Sequence, residues 1–122
     1  MIDVSHLSSA AVSTARREIA MLPRLLKEDE QIADMCHGTI GGRPGVIILT
    51  DRRLVLLRRR ALWGADVESV PLARVRTAED RQGVRHATVT VYAGGRVFEL
   101  ADVDRALAQT FCARLRSRVR SN

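Results

Sequence analysis

The chain has 122 residues and a formal net charge of +6, with 46% hydrophobic and 28% charged residues. This length suits one domain, and the composition excludes a disordered chain. The longest aliphatic runs have four residues, whereas a membrane-spanning helix needs roughly 20. The first residues also lack the basic start and apolar stretch of a secretory signal. We therefore expect a cytoplasmic protein.

The positive charge is spread evenly, because residues 1–60 and 61–122 each carry 10 basic and 7 acidic side chains. A generally basic surface is the simpler interpretation, and a functional basic patch is the alternative. Cys36 and Cys112 are the only cysteines, too few for a disulfide scaffold or a zinc site. We expect two free thiols that are buried or half-buried, with a native disulfide as the alternative.

The N-terminal part predicts a helix over residues 8–21, followed by a short turn that begins at Pro23. Its apolar residues recur at helical spacing: Ala11, Val12, Ala15, Ile19 and Leu22. An apolar stripe of this kind must be buried somewhere. We therefore expect residues 1–27 to form a helical extension that packs either on the domain's own flank or on a second copy or partner.

From residue 31 the pattern changes to short apolar runs separated by turn residues. These runs predict five strands, near residues 32–40, 46–50, 53–60, 67–70 and 73–78. Turns are predicted at Gly41–Gly45, at Asp51-Arg52 and over the polar residues 79–85.

The clearest local signal is the alternation of residues 87–92, in which Ala87, Val89 and Val91 lie two residues apart. This period of two is typical of a half-buried strand. Gly94-Gly95 then predicts a hairpin turn, and the next residues alternate again as a return strand.

The last element predicted is an amphipathic helix that begins with Asp102 as its N-cap. Its apolar stripe steps by four residues: Val103, Leu107, Phe111, Leu115 and Val119. The sequence therefore predicts an α+β, mainly β protein with seven short strands followed by a C-terminal helix.

Seven antiparallel strands capped by a C-terminal helix are the arrangement of the pleckstrin-homology-like (PH-like) barrel. The sequence resembles the bacterial PH domains of the YokE-like type, which are related to GRAM-type domains, over about residues 22–119. The matching segments are residues 22–26, 28–30, 45–54 and 67–72, with Phe98, Phe111 and Leu115. The resemblance implies a PH-like domain over residues 28–122 that follows the helical extension.

PH-like domains generally bind ligands at the open barrel end away from the helix, between the β1–β2, β3–β4 and β6–β7 loops. By position, the resemblance implies six candidate ligand- or lipid-binding residues: Arg43, Arg58, Arg59, Arg60, Trp63 and Arg96. Arginine forks suit phosphate oxygens, and an exposed Trp suits a membrane interface. The basic pattern of eukaryotic phosphoinositide sites is absent, and Trp63 more typically covers an apolar barrel end than anchors a membrane.

The Thr50-Asp51-Arg52-Arg53 segment is predicted to be structural rather than a binding site. Asp51 and Thr50 can accept hydrogen bonds from backbone N–H groups of a tight turn, and Arg53 can pair with an acid. Arg52 lies about 23 Å from Arg59 along the third strand at roughly 3.3 Å per residue, so it belongs to the opposite barrel end.

No catalytic, metal or cofactor pattern is present. The cluster at Gly41-Gly42 precedes a strand instead of the helix that a phosphate-binding loop opens, and His6, His37 and His86 lack metal-ligand spacing. The four aromatic residues are too few to interleave with cations as in nucleic-acid binders. We expect a non-enzymatic interaction module that binds a protein partner or its own copy. The alternative is peripheral binding to anionic lipid at the inner membrane face.

Overall fold

The computed structural model describes residues 29–121. The predicted helical extension over residues 1–27 lies outside the described residues.

The described chain forms seven strands and one long helix, with a 3-10 turn at Leu72–Arg74 before the fifth strand. The strands are β1 (Ile32–Ile40), β2 (Arg43–Thr50), β3 (Arg53–Arg59), β4 (Ala65–Pro71), β5 (Val75–Gln82), β6 (Ala87–Ala93) and β7 (Arg96–Val103). The helix, α1, spans Arg105–Ser121.

All seven strands belong to one antiparallel sheet in the order β4-β3-β2-β1-β7-β6-β5. β1 joins its two halves, because it pairs with β2 along its length and with β7 where Thr39 faces Ala101. Gly38 permits this close approach, since a Cβ there would overlap the carbonyl oxygen of Ala101. The sheet curls into a barrel, because every strand and α1 contribute side chains to one interior cluster. The predicted fold, a mainly β barrel of seven antiparallel strands with a C-terminal helix, is confirmed.

α1 closes one end of the barrel. It contributes four fully buried side chains to the interior: Ala108, Phe111, Cys112 and Leu115. Polar contacts fix the helix at both sides, since Arg114 pairs with Asp34 of β1 at 3.4 Å and Arg116 donates to the carbonyl of Ala78 in β5 at 2.8 Å.

The start of α1 differs from the prediction, because the N-cap is Asp104 and not Asp102. The Asp104 carboxylate accepts the backbone N–H of Leu107 at 3.0 Å, as an N-cap side chain does. Asp102 instead has a left-handed backbone with φ 56° and accepts the Thr39 hydroxyl at 2.7 Å. Val103 consequently ends β7 and is buried there, so it is not part of the helical stripe.

The polar turn predicted over residues 79–85 is also wrong. β5 continues to Gln82, and Glu79 to Gln82 pair with Thr90 to Ala87 of β6. Pairing along β6 satisfies the backbone of these residues, so their polar side chains can remain at the surface of an extended strand. The connection is therefore confined to residues 83–86.

Both cysteines are buried, free thiols, as predicted. Cys36 and Cys112 belong to the interior cluster. Burial raises the pKa of the Cys112 thiol to about 11 and raises the pKa of Cys36 further still. Both groups are therefore neutral, unreactive parts of the core at physiological pH.

The β2–β3 turn is tied to the residues that precede β1. The Glu30 carboxylate has no exposed side-chain surface and accepts two hydrogen bonds from Arg53, each at 2.9 Å. The Thr50 hydroxyl also donates to Glu30, at 2.7 Å, while Asp51 accepts the backbone N–H of Gln31 at 3.0 Å. The structural role predicted for this segment is confirmed, and the acid that pairs with Arg53 is Glu30.

Candidate functional site

Three hairpin connections lie at the barrel end opposite α1. They are the Gly41-Gly42 turn, the β3–β4 loop over residues 60–64 and the Gly94-Gly95 turn. Both glycine pairs have positive φ values, between 55° and 82°, which glycine adopts without the steric cost of a Cβ. The first turn is shorter than predicted, because Arg43 already belongs to β2.

Four of the six predicted site residues line one cavity between the first two of these connections. This loop cavity has a volume of about 460 Å³ and is lined by Arg43, Arg58, Arg60, Ala61, Leu62, Trp63 and Asp66. The other two predicted residues lie outside it. Arg59 is half-buried and pairs with Ala65 across the β3–β4 ladder, and Arg96 begins β7.

Trp63 does not cover the barrel end, so the expectation that it serves as a lid is wrong. Its exposed fraction is 78%, and that of its neighbour Leu62 is 84%. The β3–β4 loop closes on itself where the Arg60 N–H donates to the Gly64 carbonyl at 3.1 Å. Trp63 and Leu62 therefore form an apolar tip at the surface, which we call the Leu-Trp tip.

Acidic residues of β4 partly neutralise the arginines at this end. Asp66 lies 3.7 Å from Arg58 and 3.0 Å from Arg60. Glu68 pairs with Arg96 at 2.5 Å, which bridges β4 and β7. The open end is consequently a mixed-charge surface.

A second cavity, the β4–β7 groove, lies next to the loop cavity. Its volume is about 430 Å³, and it is lined by Ile40, Leu56, Arg58, Asp66, Val67, Glu68, Val97, Phe98 and Glu99. Aliphatic and aromatic groups alternate there with three carboxylates and one guanidinium group. The Arg96 guanidinium carbon lies 4.6 Å from the centre of the Phe98 ring, which is a cation–π contact with a residue of the groove lining.

Arg58 is common to both cavities. Its Nε is buried and has no hydrogen-bond acceptor within the described part of the chain. A buried donor without an acceptor typically costs about 1–3 kcal/mol. An occupant that brings a carbonyl or carboxylate oxygen to this point would recover that free energy.

The described residues hold no group of three or more potential ligands for a metal ion. Of the histidines, His37 is half-buried in β1 and His86 is exposed in the β5–β6 connection; His6 lies outside the described residues. Within residues 29–121, no helix is both long and apolar enough to cross a membrane.

Sequence reasoning missed the acidic side of the site. Asp66 and Glu68 lie directly opposite Arg58 and Leu56 in the β3–β4 register. The alternation of β4 could have indicated that both acids share one face, but only the register shows which β3 residues they meet.

An antiparallel barrel with a capping helix at one end and cavities between loops at the other defines the class of PH-like domains. Residues 26–117 match the model of the family described as "Bacterial PH domain". The chain therefore belongs to the bacterial PH domain family, as the resemblance had implied. PH domains are in general non-catalytic interaction modules.

Solved structures of PH domains have the same fold. A PH domain from Shewanella amazonensis SB2B is 19% identical, with 83% of this chain and 96% of that chain covered and a TM-score of 0.57. A DUF1696 family protein with a PH domain from Shewanella loihica PV-4 is 14% identical, with 91% of each chain covered and a TM-score of 0.53.

The PH domain of USP37 is also similar, at 14% identity, with 72% of this chain and 98% of that chain covered and a TM-score of 0.55. At these identities the likeness establishes the fold alone. No match was found among curated proteins.

Proposed function

We propose that the protein is a non-enzymatic recognition module that binds a protein partner through the β4–β7 groove. The observation that supports this proposal best is the composition of the groove, whose lining combines apolar side chains with three carboxylates and one guanidinium group. Ligand pockets of this volume typically bury apolar groups and fix the orientation of the ligand with a few polar groups. A second copy of the chain is the other protein that could supply such a segment.

The favoured occupant is an extended segment that carries apolar and basic side chains. β4 is one of the two edge strands of the described sheet, and an edge strand offers unpaired backbone groups to an added strand. Val67 and Val97, 44% and 56% exposed, flank the groove and provide apolar contacts. The Glu99 carboxylate in the groove lining favours a Lys or Arg side chain of the ligand.

The proposal is tested with peptides selected on the full-length chain from a phage-displayed random library. The selected peptides should carry Lys or Arg within an apolar sequence. Reversing the charge at Glu99 with Glu99→Lys should weaken their binding about ten-fold. Glu99 is the best choice because its substitution leaves the Arg96–Glu68 pair intact.

Glu79→Lys is the matched control, since Glu79 is an exposed acid of β5 that lies in neither cavity. Equal affinity of the Glu99→Lys variant, or equal losses in both variants, would contradict the groove as the binding surface. Peptide-dependent catalysis would contradict the non-enzymatic role.

A second candidate function is peripheral binding to anionic lipid at the inner membrane face. The Leu-Trp tip supports it, because two large apolar side chains project beside Arg43 and Arg60. Such a tip can enter a lipid headgroup region while the arginines meet phosphates. The pairing of Arg58 and Arg60 with Asp66 makes this candidate weaker than protein binding.

A further inference from the structure

The sheet formed by β1, β2 and β3 is buried on both of its faces. Cross-strand pairing places Cys36, Ile47 and Leu56 on the interior face. The opposite, outer face carries five more apolar side chains: Met35, Val46, Ile48, Val55 and Leu57. Their exposed fractions are 2% for Met35 and 0% for the other four.

α1 does not account for the burial of this outer face. Its apolar side chains belong to the interior cluster, and the helix packs mainly on β5, with further contacts to β1 and β6. An antiparallel sheet with one face on the core normally alternates apolar and polar residues. The continuous apolar runs of β2 and β3 therefore indicate a second packing layer on the outer face.

The chain before residue 29 is a candidate for this second layer, because it joins the barrel at one end of the outer face. The Glu30 carboxylate accepts hydrogen bonds from Arg53 and Thr50, and Asp29 forms an ion pair with Arg52 at 2.5 Å. The chain that precedes residue 29 is thus anchored at the β2–β3 turn, which is one end of the outer face.

We propose that residues 8–27 pack on the outer face of β1, β2 and β3 of their own chain. Their apolar positions match a face that accepts only apolar groups. A helix over residues 8–21 would be about 21 Å long at 1.5 Å per residue. β2 has eight residues and spans about 26 Å at 3.3 Å per residue, so the lengths agree.

Packing within one chain is favoured over packing on a second copy, because the segment is attached directly to the anchored residues. A short tether gives an effective concentration in the millimolar range, far above that of a separate molecule. The proposal is independent of the groove, which lies at the opposite end of β3 from the β2–β3 turn.

The test compares two substitutions in the full-length chain that introduce the same charge at neighbouring positions. Ile19→Asp places a carboxylate in the predicted apolar stripe, and Ala20→Asp places one outside it. We expect Ile19→Asp to lower the unfolding midpoint by roughly 5–10 °C, because the outer face loses an apolar contact. Ala20→Asp should leave the midpoint nearly unchanged. Equal midpoints for the wild type and Ile19→Asp would overturn the proposal.

A double-mutant cycle covers the case in which Ile19→Asp does not fold. Ile19→Ala, Ile48→Ala and the double variant are compared by denaturant unfolding, with sedimentation measured in parallel. Packing in one chain predicts a monomer in which the two losses are non-additive, since removal of one partner lessens the effect of removing the other. Additive losses, or coupling that occurs only in a dimer, would overturn the proposal.

Discussion

At the residue scale, the Glu30–Arg53 ion pair stands out because it requires the burial of a charged carboxylate. The Glu30 side chain is fully buried, whereas that of Arg53 is 21% exposed. Two hydrogen bonds from Arg53 and one from Thr50 compensate the carboxylate for its lost hydration. The pair also raises the pKa of Arg53, because the bonds favour the charged guanidinium. This group is therefore charged at any pH at which the protein is studied.

Glu30→Gln should lower the free energy of unfolding by about 2–3 kcal/mol, measured by urea denaturation. The substitution keeps the shape of the side chain but leaves Arg53 without its buried counter-charge, and breaking such pairs is strongly destabilising. Asp29→Asn is the matched control, because the Arg52–Asp29 pair is exposed and exposed pairs contribute little. Equal stability of Glu30→Gln and Asp29→Asn would show that burial does not set the strength of these pairs.

The sequence predicted the roles of single residues correctly where those roles depend on neighbouring residues in the chain. The turn chemistry of Thr50 and Asp51 and the buried thiols followed from composition and spacing alone. Trp63 was misplaced because its position depends on the path of the β3–β4 loop. A Trp side chain carries no local signal that separates a lid from an exposed tip.

At the element scale, α1 stabilises the barrel through one ridge of side chains. Phe111 and Leu115 are fully buried on it, and Leu107 is only half-buried. The ridge therefore follows Ala108, Phe111, Cys112 and Leu115 rather than the strict steps of four in the predicted stripe.

Phe111→Ala should lower the free energy of unfolding by about 3–5 kcal/mol, because it removes a large side chain and leaves a cavity. Arg118→Ala, on the exposed side of the same helix, should change it by less than about 0.5 kcal/mol. Calorimetric unfolding of both variants provides the measurement. A Phe111→Ala protein as stable as Arg118→Ala would mean that α1 is not part of the folded core.

The sequence predicted strands and helices well where the apolar residues of a whole segment recur with a single period. The alternation in β6 and the glycine pair that follows it determined that hairpin without tertiary information. β5 was cut short because residues 79–82 are polar, and only pairing with β6 keeps them extended. The start of α1 was misplaced by two residues, since both Asp102 and Asp104 are suitable caps and the Thr39 contact selects between them.

At the scale of the whole molecule, the two barrel ends differ in character. The end at the β2–β3 turn is stabilised by fully satisfied polar groups around Glu30. The open end retains two cavities, an exposed apolar tip and a buried Arg58 donor without an acceptor in the described chain. This contrast supports the proposal that recognition takes place at the open end.

The loops of the open end could be identified from the sequence, but their chemistry could not. Arg43, Arg58, Arg60 and Trp63 line one cavity because hairpin order determines which loops are neighbours, whereas Arg59 and Arg96 lie outside it. The acids Asp66 and Glu68 were missed because the β3–β4 register and the β4–β7 contact are tertiary features. Both acids pair with arginines of this end, and this pairing is why the proposed function favours a peptide ligand over a phosphate.

Chemical-shift mapping of the isotopically labelled full-length chain tests the central claim, recognition at the open end, most directly. One titration uses a library-selected peptide, and a second uses bicelles that contain anionic lipid. The account predicts that the peptide shifts resonances of β4, the first half of β7 and the β3–β4 loop, while α1 and β5 remain unchanged. Bicelle-induced shifts confined to the Leu-Trp tip, without a peptide response, would favour the lipid candidate instead. Peptide-induced shifts centred on α1 and β5 would contradict the account.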